Sequence, residues 1–182
     1  MTRILGISGS LRRGSLNTAV LRAAQSLVDT GVEFEIATLQ GIPLYDGDVE
    51  QSEGLPRAVV ALKERIMASD GVILATPEYN NSFPGVFKNA IDWLSRPGSD
   101  IPRIFGDRPF AIMGCSPGGF GTILSQDAWL PVMRALRVRL WTGGRLMISQ
   151  ASDAFDDQGR LTDDTTLKQL ENYVNTFAEW CA

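Results

Sequence analysis

The run Gly71-Val72-Ile73-Leu74-Ala75 constrains this chain more than any other feature, because its small apolar residues follow one another with no polar alternation. A strand with one face in water alternates, whereas a strand covered on both faces of a parallel sheet reads as a continuous apolar run. Further apolar runs alternate with helical patterns along the whole chain in the order βαβαβαβαβα. That order is the signature of a parallel sheet with helices on both faces. At 182 residues the chain is expected to form one domain spanning 1–182, with a sizeable core.

The first strand is predicted over Arg3 to Ser8, with a helix from near Asn17 carrying Val20, Ala23, Ala24 and Leu27 on one face. A second strand, Glu33 to Leu39, leads into a Gly-, Pro- and Asp-rich loop from Gly41 to Gln51 that is long for its kind. The second helix follows from about Leu55 to Ala68. After the third strand, Phe87, Ala90, Ile91 and Leu94 recur at helical spacing. A connector from Pro97 to Asp107 precedes strand four, Pro109 to Gly114. The next helix is expected over about Thr122 to Leu136, with Pro131 predicting a kink or a late start. A last strand, Val138 to Trp141, is expected to continue past Gly143-Gly144 to Leu146–Ile148. The terminal helix places Leu167, Leu170, Val174 and Phe177 on one side, with Asp163 and Asp164 at its start.

Several function classes are disfavoured by composition. A formal charge of −4 and a pI near 4.9 argue against nucleic-acid partners, which require a basic surface. No apolar run approaches the roughly 20 residues that span a bilayer, and no signal-peptide pattern opens the chain, so a cytoplasmic location is expected. There is no histidine, and Cys115 and Cys181 lie far apart, so neither a Ser-His-Asp triad nor a metal site is expected.

In a doubly wound sheet the loops leaving the carboxyl ends of the strands share one rim. The first, Gly9-Ser10-Leu11-Arg12-Arg13-Gly14-Ser15-Leu16-Asn17, supplies hydroxyls, guanidinium groups and helix N-terminal N–H groups, the donors that hold a phosphate. Gly9 to Gly14 has the spacing of a nucleoside-triphosphate loop, but Ser15 stands where that motif needs lysine, which suits a monophosphate without magnesium. No G-x-G-x-x-G fingerprint is present, so a dinucleotide across the crevice is disfavoured. The second loop, Thr76 to Pro84, concentrates Glu78, Tyr79, Asn80, Asn81 and Ser82 between two prolines that restrict its backbone. The third, Gly114 to Gly121, is glycine-rich and lets main chain approach a flat ligand. Each loop read alone is also compatible with a simple capping turn, and Cys115 reads as a structural thiol.

The run Thr76-Pro77-Glu78-Tyr79-Asn80-Asn81-Ser82-Phe83-Pro84-Gly85-Val86-Phe87-Lys88-Asn89-Ala90-Ile91-Asp92-Trp93 closely resembles the second flavin loop of the NAD(P)H-dependent FMN reductase family. The resemblance extends over essentially the whole chain. It implies a flavodoxin-like, three-layer doubly wound α/β sandwich with a five-stranded parallel sheet in the order 2-1-3-4-5. It further implies non-covalent FMN, with Ser10, Leu11, Arg12, Ser15, Leu16, Asn17 and Thr18 at the phosphate and ribityl chain. Pro77, Glu78, Tyr79, Asn80 and Ser82 would meet the ring, the middle three through backbone groups, and Ser116, Gly118 and Gly119 would lie along one ring edge. Leu124, before Gln126, departs from the family pattern, where many relatives carry arginine.

The activity implied is ping-pong transfer from NAD(P)H through FMN to quinones, azo compounds, chromate or free flavin. Hydride transfer belongs to the cofactor, so a chain without histidine is not handicapped. Lys88, Asn89 and Asp92 read as a solvated or helix-positioning face. The resemblance also implies a homodimer or homotetramer, for which Phe83 and Trp93 are expected to add aromatic surface. Two alternatives are a reductase that supplies reduced flavin to a partner monooxygenase and a flavodoxin-type electron carrier. The Arg12-Arg13 pair and the mild acidity of the chain disfavour the carrier.

Overall fold

The computed structural model describes residues 1–182. The strands are β1 (Thr2–Ser8), β2 (Val32–Ala37), β3 (Gly71–Ala75), β4 (Pro109–Cys115), β5 (Arg139–Leu140) and β6 (Leu146–Ile148). The helices are α1 (Leu16–Leu27), α2 (Gly47–Glu53), α3 (Arg57–Ala68), α4 (Gly85–Leu94), α5 (Ile101–Ile104), α6 (Ile123–Leu136) and α7 (Asp164–Cys181). All pairings are parallel and the order is β2-β1-β3-β4-β5, with β6 also pairing with β4. This is the flavodoxin-like doubly wound fold. The connections change direction between β1 and β3, and a ligand crevice is expected outside the carboxyl ends of those strands.

Burial of β3 on both faces sets the layers. Ile73 and Ala75 point into a cluster shared with α1 and α7, whereas Val72 and Leu74 point into one shared with α3, α4 and α6. Each cluster holds 21 buried residues, so neither face of the sheet is left for water. In β4 the same alternation puts Ala111 and Met113 in the first cluster and Phe110 and Ile112 in the second.

Four expectations need correction. The loop Gly41 to Gln51 contains the start of α2, capped by Asp46, whose side chain accepts from Asp48 N. Asn89 fastens this segment to α4, donating to Pro43 O (2.8 Å) and accepting from Tyr45 N (2.8 Å). The following helix begins at Arg57 rather than Leu55, because Pro56 is its N-cap. The last strand is two short strands that take successive positions along β4, so the sheet has six strands where five were expected. Finally, α6 starts at Ile123 and includes Pro131, so the late start that this proline allowed does not occur.

A fifth correction concerns Trp93. It is wholly buried, and its Nε1 donates to Pro43 O at 2.9 Å, so it adds no exposed aromatic surface. Phe83 is half-buried and packs on Trp129, with ring centroids 4.5 Å apart. Lys88 and Asp92 pair with each other at 2.6 Å, in keeping with a helix-surface role.

Gly114, near the end of β4, marks where main chain crowds most closely under the rim. A Cβ there would stand 2.2 Å from Thr76 O and 2.4 Å from Thr122 Oγ1. A backbone carbonyl cannot rotate aside, so Gly114→Ala is expected to destabilise the apoprotein by about 1–3 kcal/mol, the usual cost of overpacking. Urea unfolding measures this, and an unchanged midpoint would contradict the packing described.

Candidate active site

The first loop leaves β1 against the second. Gly9 N donates to Ala75 O at 2.9 Å, and a Cβ on Gly9 would lie 2.3 Å from the Phe87 ring, so only glycine lets the chain pass α4 here. Ser15 is the N-cap of α1, its hydroxyl accepting from Thr18 N at 3.2 Å. The Leu16 and Asn17 N–H groups, the first of α1, have no intramolecular partner. Ser10 Oγ accepts from Arg12 N at 3.3 Å. Ser10 and Ser15 are only 5% and 6% exposed, yet neither hydroxyl proton has a protein acceptor. One loop thus carries two hydroxyl donors and two helix N-terminal N–H groups without protein partners, with Arg12 and Arg13 exposed on it. This is a donor set for an anion at the positive end of a helix.

Other residues expected in this loop have different employment. The Asn17 amide is 4% exposed and fully engaged with β4, donating to Cys115 O and accepting from Cys115 N, both at 3.0 Å. The Thr18 hydroxyl pairs with Ser8 Oγ at 2.7 Å. Leu16 packs its side chain against the core beneath α1. Leu11 is half-exposed and its carbonyl accepts from Gln40 Nε2 at 3.2 Å. Asn17 and Leu16 therefore offer a ligand their main chain, and Thr18 stands behind Ser15.

The second loop is a preformed turn. Tyr79 and Ser82 exchange N–H···O bonds at 2.9 and 3.0 Å around Asn80 and Asn81, which take φ of 50° and 61°. Two successive left-handed residues make a type I′ turn, and asparagine tolerates that conformation better than most residues. Pro77 is buried and Tyr79 is 48% exposed. The N–H groups of Glu78 and Asn80 have no protein partner. The Glu78 carboxylate does not point to solvent: its Oε2 accepts from Leu124 N (2.9 Å) and Ser125 N (3.1 Å) at the start of α6.

Beneath this loop Thr76 is a polar hub that sequence reading missed. Its buried hydroxyl meets Pro77 O (3.0 Å), Ser125 Oγ (2.8 Å) and Trp129 Nε1 (3.1 Å). The available signal was a hydroxyl at the end of an otherwise apolar strand, where an unpaired polar group would be costly.

The third loop is fastened at its base. Ser116 N donates to Ile148 O (3.0 Å), Ser116 O accepts from Ala151 N (3.0 Å), and Gly118 O accepts from Gln150 N (2.9 Å). Beyond that base Gly118 and Gly119 are exposed; a Cβ on Gly119 would touch nothing, and on Gly118 only Ser116 Oγ at 3.9 Å. No protein packing therefore requires glycine at these two positions. Cys115 closes β4, and burial pushes its thiol up to about 12, while burial does the same to Cys181. Burial thus disfavours the thiolate form of both, in keeping with structural thiols. A separate cleft of about 660 Å³ along the sheet edge, between Leu130 and Trp141, reaches α6 at Leu124 but includes no residue of the first two loops.

An α/β sheet with an anion cradle at the first βα turn and two further loops on the same rim defines a flavodoxin-like mononucleotide-binding protein. The sequence matches the family described as NADPH-dependent FMN reductase over residues 2–153. It is 44% identical over 178 residues to an NAD(P)H-dependent FMN reductase of Pseudomonas aeruginosa, covering 98% of this chain and 94% of that one. A quinone reductase of Escherichia coli is 36% identical over 181 residues, with 98% and 94% covered. The solved structure of FerB, a flavoenzyme NAD(P)H:(acceptor) oxidoreductase from Paracoccus denitrificans, superposes with a TM-score of 0.87 at 32% identity, covering 100% of this chain and 97% of that one. The chain belongs to the NADPH-dependent FMN reductase family and is an FMN-dependent oxidoreductase that draws on NAD(P)H.

Proposed function

We propose that residues 1–182 act as one FMN-binding domain whose three rim loops hold the phosphate, ribityl chain and ring of a single flavin. The observation carrying this reading is the pair of nearly buried hydroxyls, Ser10 and Ser15, beside the unpartnered N–H groups of Leu16 and Asn17. Ser10, Arg12, Ser15 and the first turn of α1 bind the phosphate, with Leu11 and the Asn17 main chain lining the cradle and Thr18 supporting it through its N–H bond to Ser15 Oγ. Pro77, Glu78, Tyr79, Asn80 and Ser82 wall the ring, the free Glu78 and Asn80 N–H groups donating to its polar edge. Ser116, Gly118 and Gly119 lie along another edge.

Bound FMN supplies the transfer of hydride and electrons from NAD(P)H to an acceptor, and the protein contributes position and electrostatics. The acceptor class is quinones, azo compounds, chromate or free flavin, reduced by a ping-pong sequence in which NAD(P)H and acceptor use one site in turn. The names of the relatives, FMN reductase and quinone reductase, support an enzyme over a one-electron carrier. No helix of the chain is long and apolar enough to cross a membrane, in keeping with action in the cytoplasm. A homodimer or homotetramer is part of the proposal. It now rests on family membership, since Trp93 is internal.

Ser15→Asp tests the cradle. A carboxylate would replace the hydroxyl beside the phosphate, and at an effective dielectric of about 20 two like charges 4 Å apart repel by about 4 kcal/mol. FMN affinity should fall by roughly a thousandfold, while riboflavin, which has no phosphate, should lose far less. Aspartate caps a helix as well as serine does, so the apoprotein should keep its unfolding midpoint. Titration of the apoprotein with both flavins reads the result. Equal FMN binding by variant and parent would place the phosphate elsewhere. In the parent, NAD(P)H should rapidly bleach the bound flavin; a flavin that NAD(P)H leaves oxidised would favour the carrier.

A further inference from the structure

Helix α6 starts without a cap of its own. Thr122, its preceding residue, has a φ of 73°, a conformation rare for a β-branched side chain, and makes no side-chain cap bond. Its hydroxyl instead accepts from Gln126 Nε2 at 3.1 Å. The N–H groups of the first turn have no partner within the helix. Two of them are taken from outside: a single oxygen of Glu78 accepts from both Leu124 N and Ser125 N.

The origin of this cap matters. A local cap stabilises only its own helix, whereas a carboxylate reaching from the second loop also fixes where the helix stands relative to that loop. The third loop runs directly into α6, so the same bonds set the spacing between the second and third loops. The Thr76–Ser125 and Thr76–Trp129 bonds hold the helix from below, and Glu78 acts at its tip. The carboxylate is thereby committed to α6, while the Glu78 N–H remains free. A negative charge at a helix N-terminus is also favoured by the helix dipole.

We propose that Glu78 is a positioning residue for the flavin ring: its carboxylate locks α6 to the second loop and so holds the ring-binding walls at their working separation. The proposal rests on the FMN reading above. The action is at the ring end of the site, so its loss affects FMN and riboflavin alike, unlike a change at the phosphate cradle. Since one oxygen accepts both bonds, a glutamine carbonyl can take its place and retain the geometry without the charge.

The test is flavin titration of the apoprotein, with amide hydrogen exchange at Leu124 and Ser125, for Glu78→Ala and Glu78→Gln. Glu78→Ala should weaken FMN and riboflavin by the same factor, about tenfold, the scale of one lost charge-assisted bond pair, and should speed exchange at both amides. Glu78→Gln should recover most of the affinity and the protection. Asp163→Ala provides the stability control: it removes the matching acidic cap of α7, which belongs to none of the three loops, and should lower the unfolding midpoint without altering flavin affinity. Unchanged flavin binding by Glu78→Ala, or a loss confined to FMN, overturns the proposal. A loss of affinity equal in Asp163→Ala also overturns it, because stability alone would then explain the effect. A parent that binds neither flavin overturns the cofactor reading itself, with the exchange result at Leu124 and Ser125 then describing only a helix cap.

Discussion

Asn17 spends both ends of its side-chain amide on the main chain of Cys115, 98 residues away. The pair spans β3, linking the start of α1 to the end of β4, and it is buried. Truncating Asn17 would leave a donor and an acceptor without water or partner, each costing about 1–3 kcal/mol. Once α1 is fixed in this way, the Ser15 hydroxyl and the Leu16 and Asn17 N–H groups have a set position relative to the third loop. Gly9 N to Ala75 O ties the first loop to the end of β3, from which the second loop springs, and Glu78 with Thr76 ties the second to α6. The rim is a closed set of polar links between segments remote in sequence, and a site so linked meets its ligand with little ordering left to do.

What could be read from the sequence follows from which forces are local. The buried run of β3 and the periodicity of α1, α4 and α7 report burial directly, and those elements were placed within a few residues. The three loops were legible because glycine, serine and asparagine at strand ends have few other uses. The employment of individual side chains was not. Glu78 reads as a polar loop residue until α6 is placed beside it, and nothing local in the sequence says that the Asn17 amide is held by Cys115 or the Thr18 hydroxyl by Ser8. Trp93 lies beyond the i, i+3, i+4 stripe of its helix and looks exposed, but the segment around Pro43 folds over it. Likewise β5 and β6 read in sequence as one strand continuing past Gly143-Gly144, and only their pairing with two parts of β4 separates them.

The chain has no histidine, and burial pushes both thiols up to about 12. The donors at the rim are hydroxyls, main-chain N–H groups and two arginines. Such a set is suited to holding an anionic cofactor whose own ring carries the electrons, and it leaves substrate choice to the shape of the open side of the site.

The central claim is that loops separated by about a hundred residues converge on one flavin. Amide chemical shifts of the ¹⁵N-labelled apoprotein, followed through titration with FMN, test it most directly. The account predicts that Leu16, Asn17, Glu78, Asn80, Gly118 and Gly119 shift together with a single dissociation constant. Shifts confined to one loop, or centred on the edge cleft at Leu130 and Trp141, would contradict it.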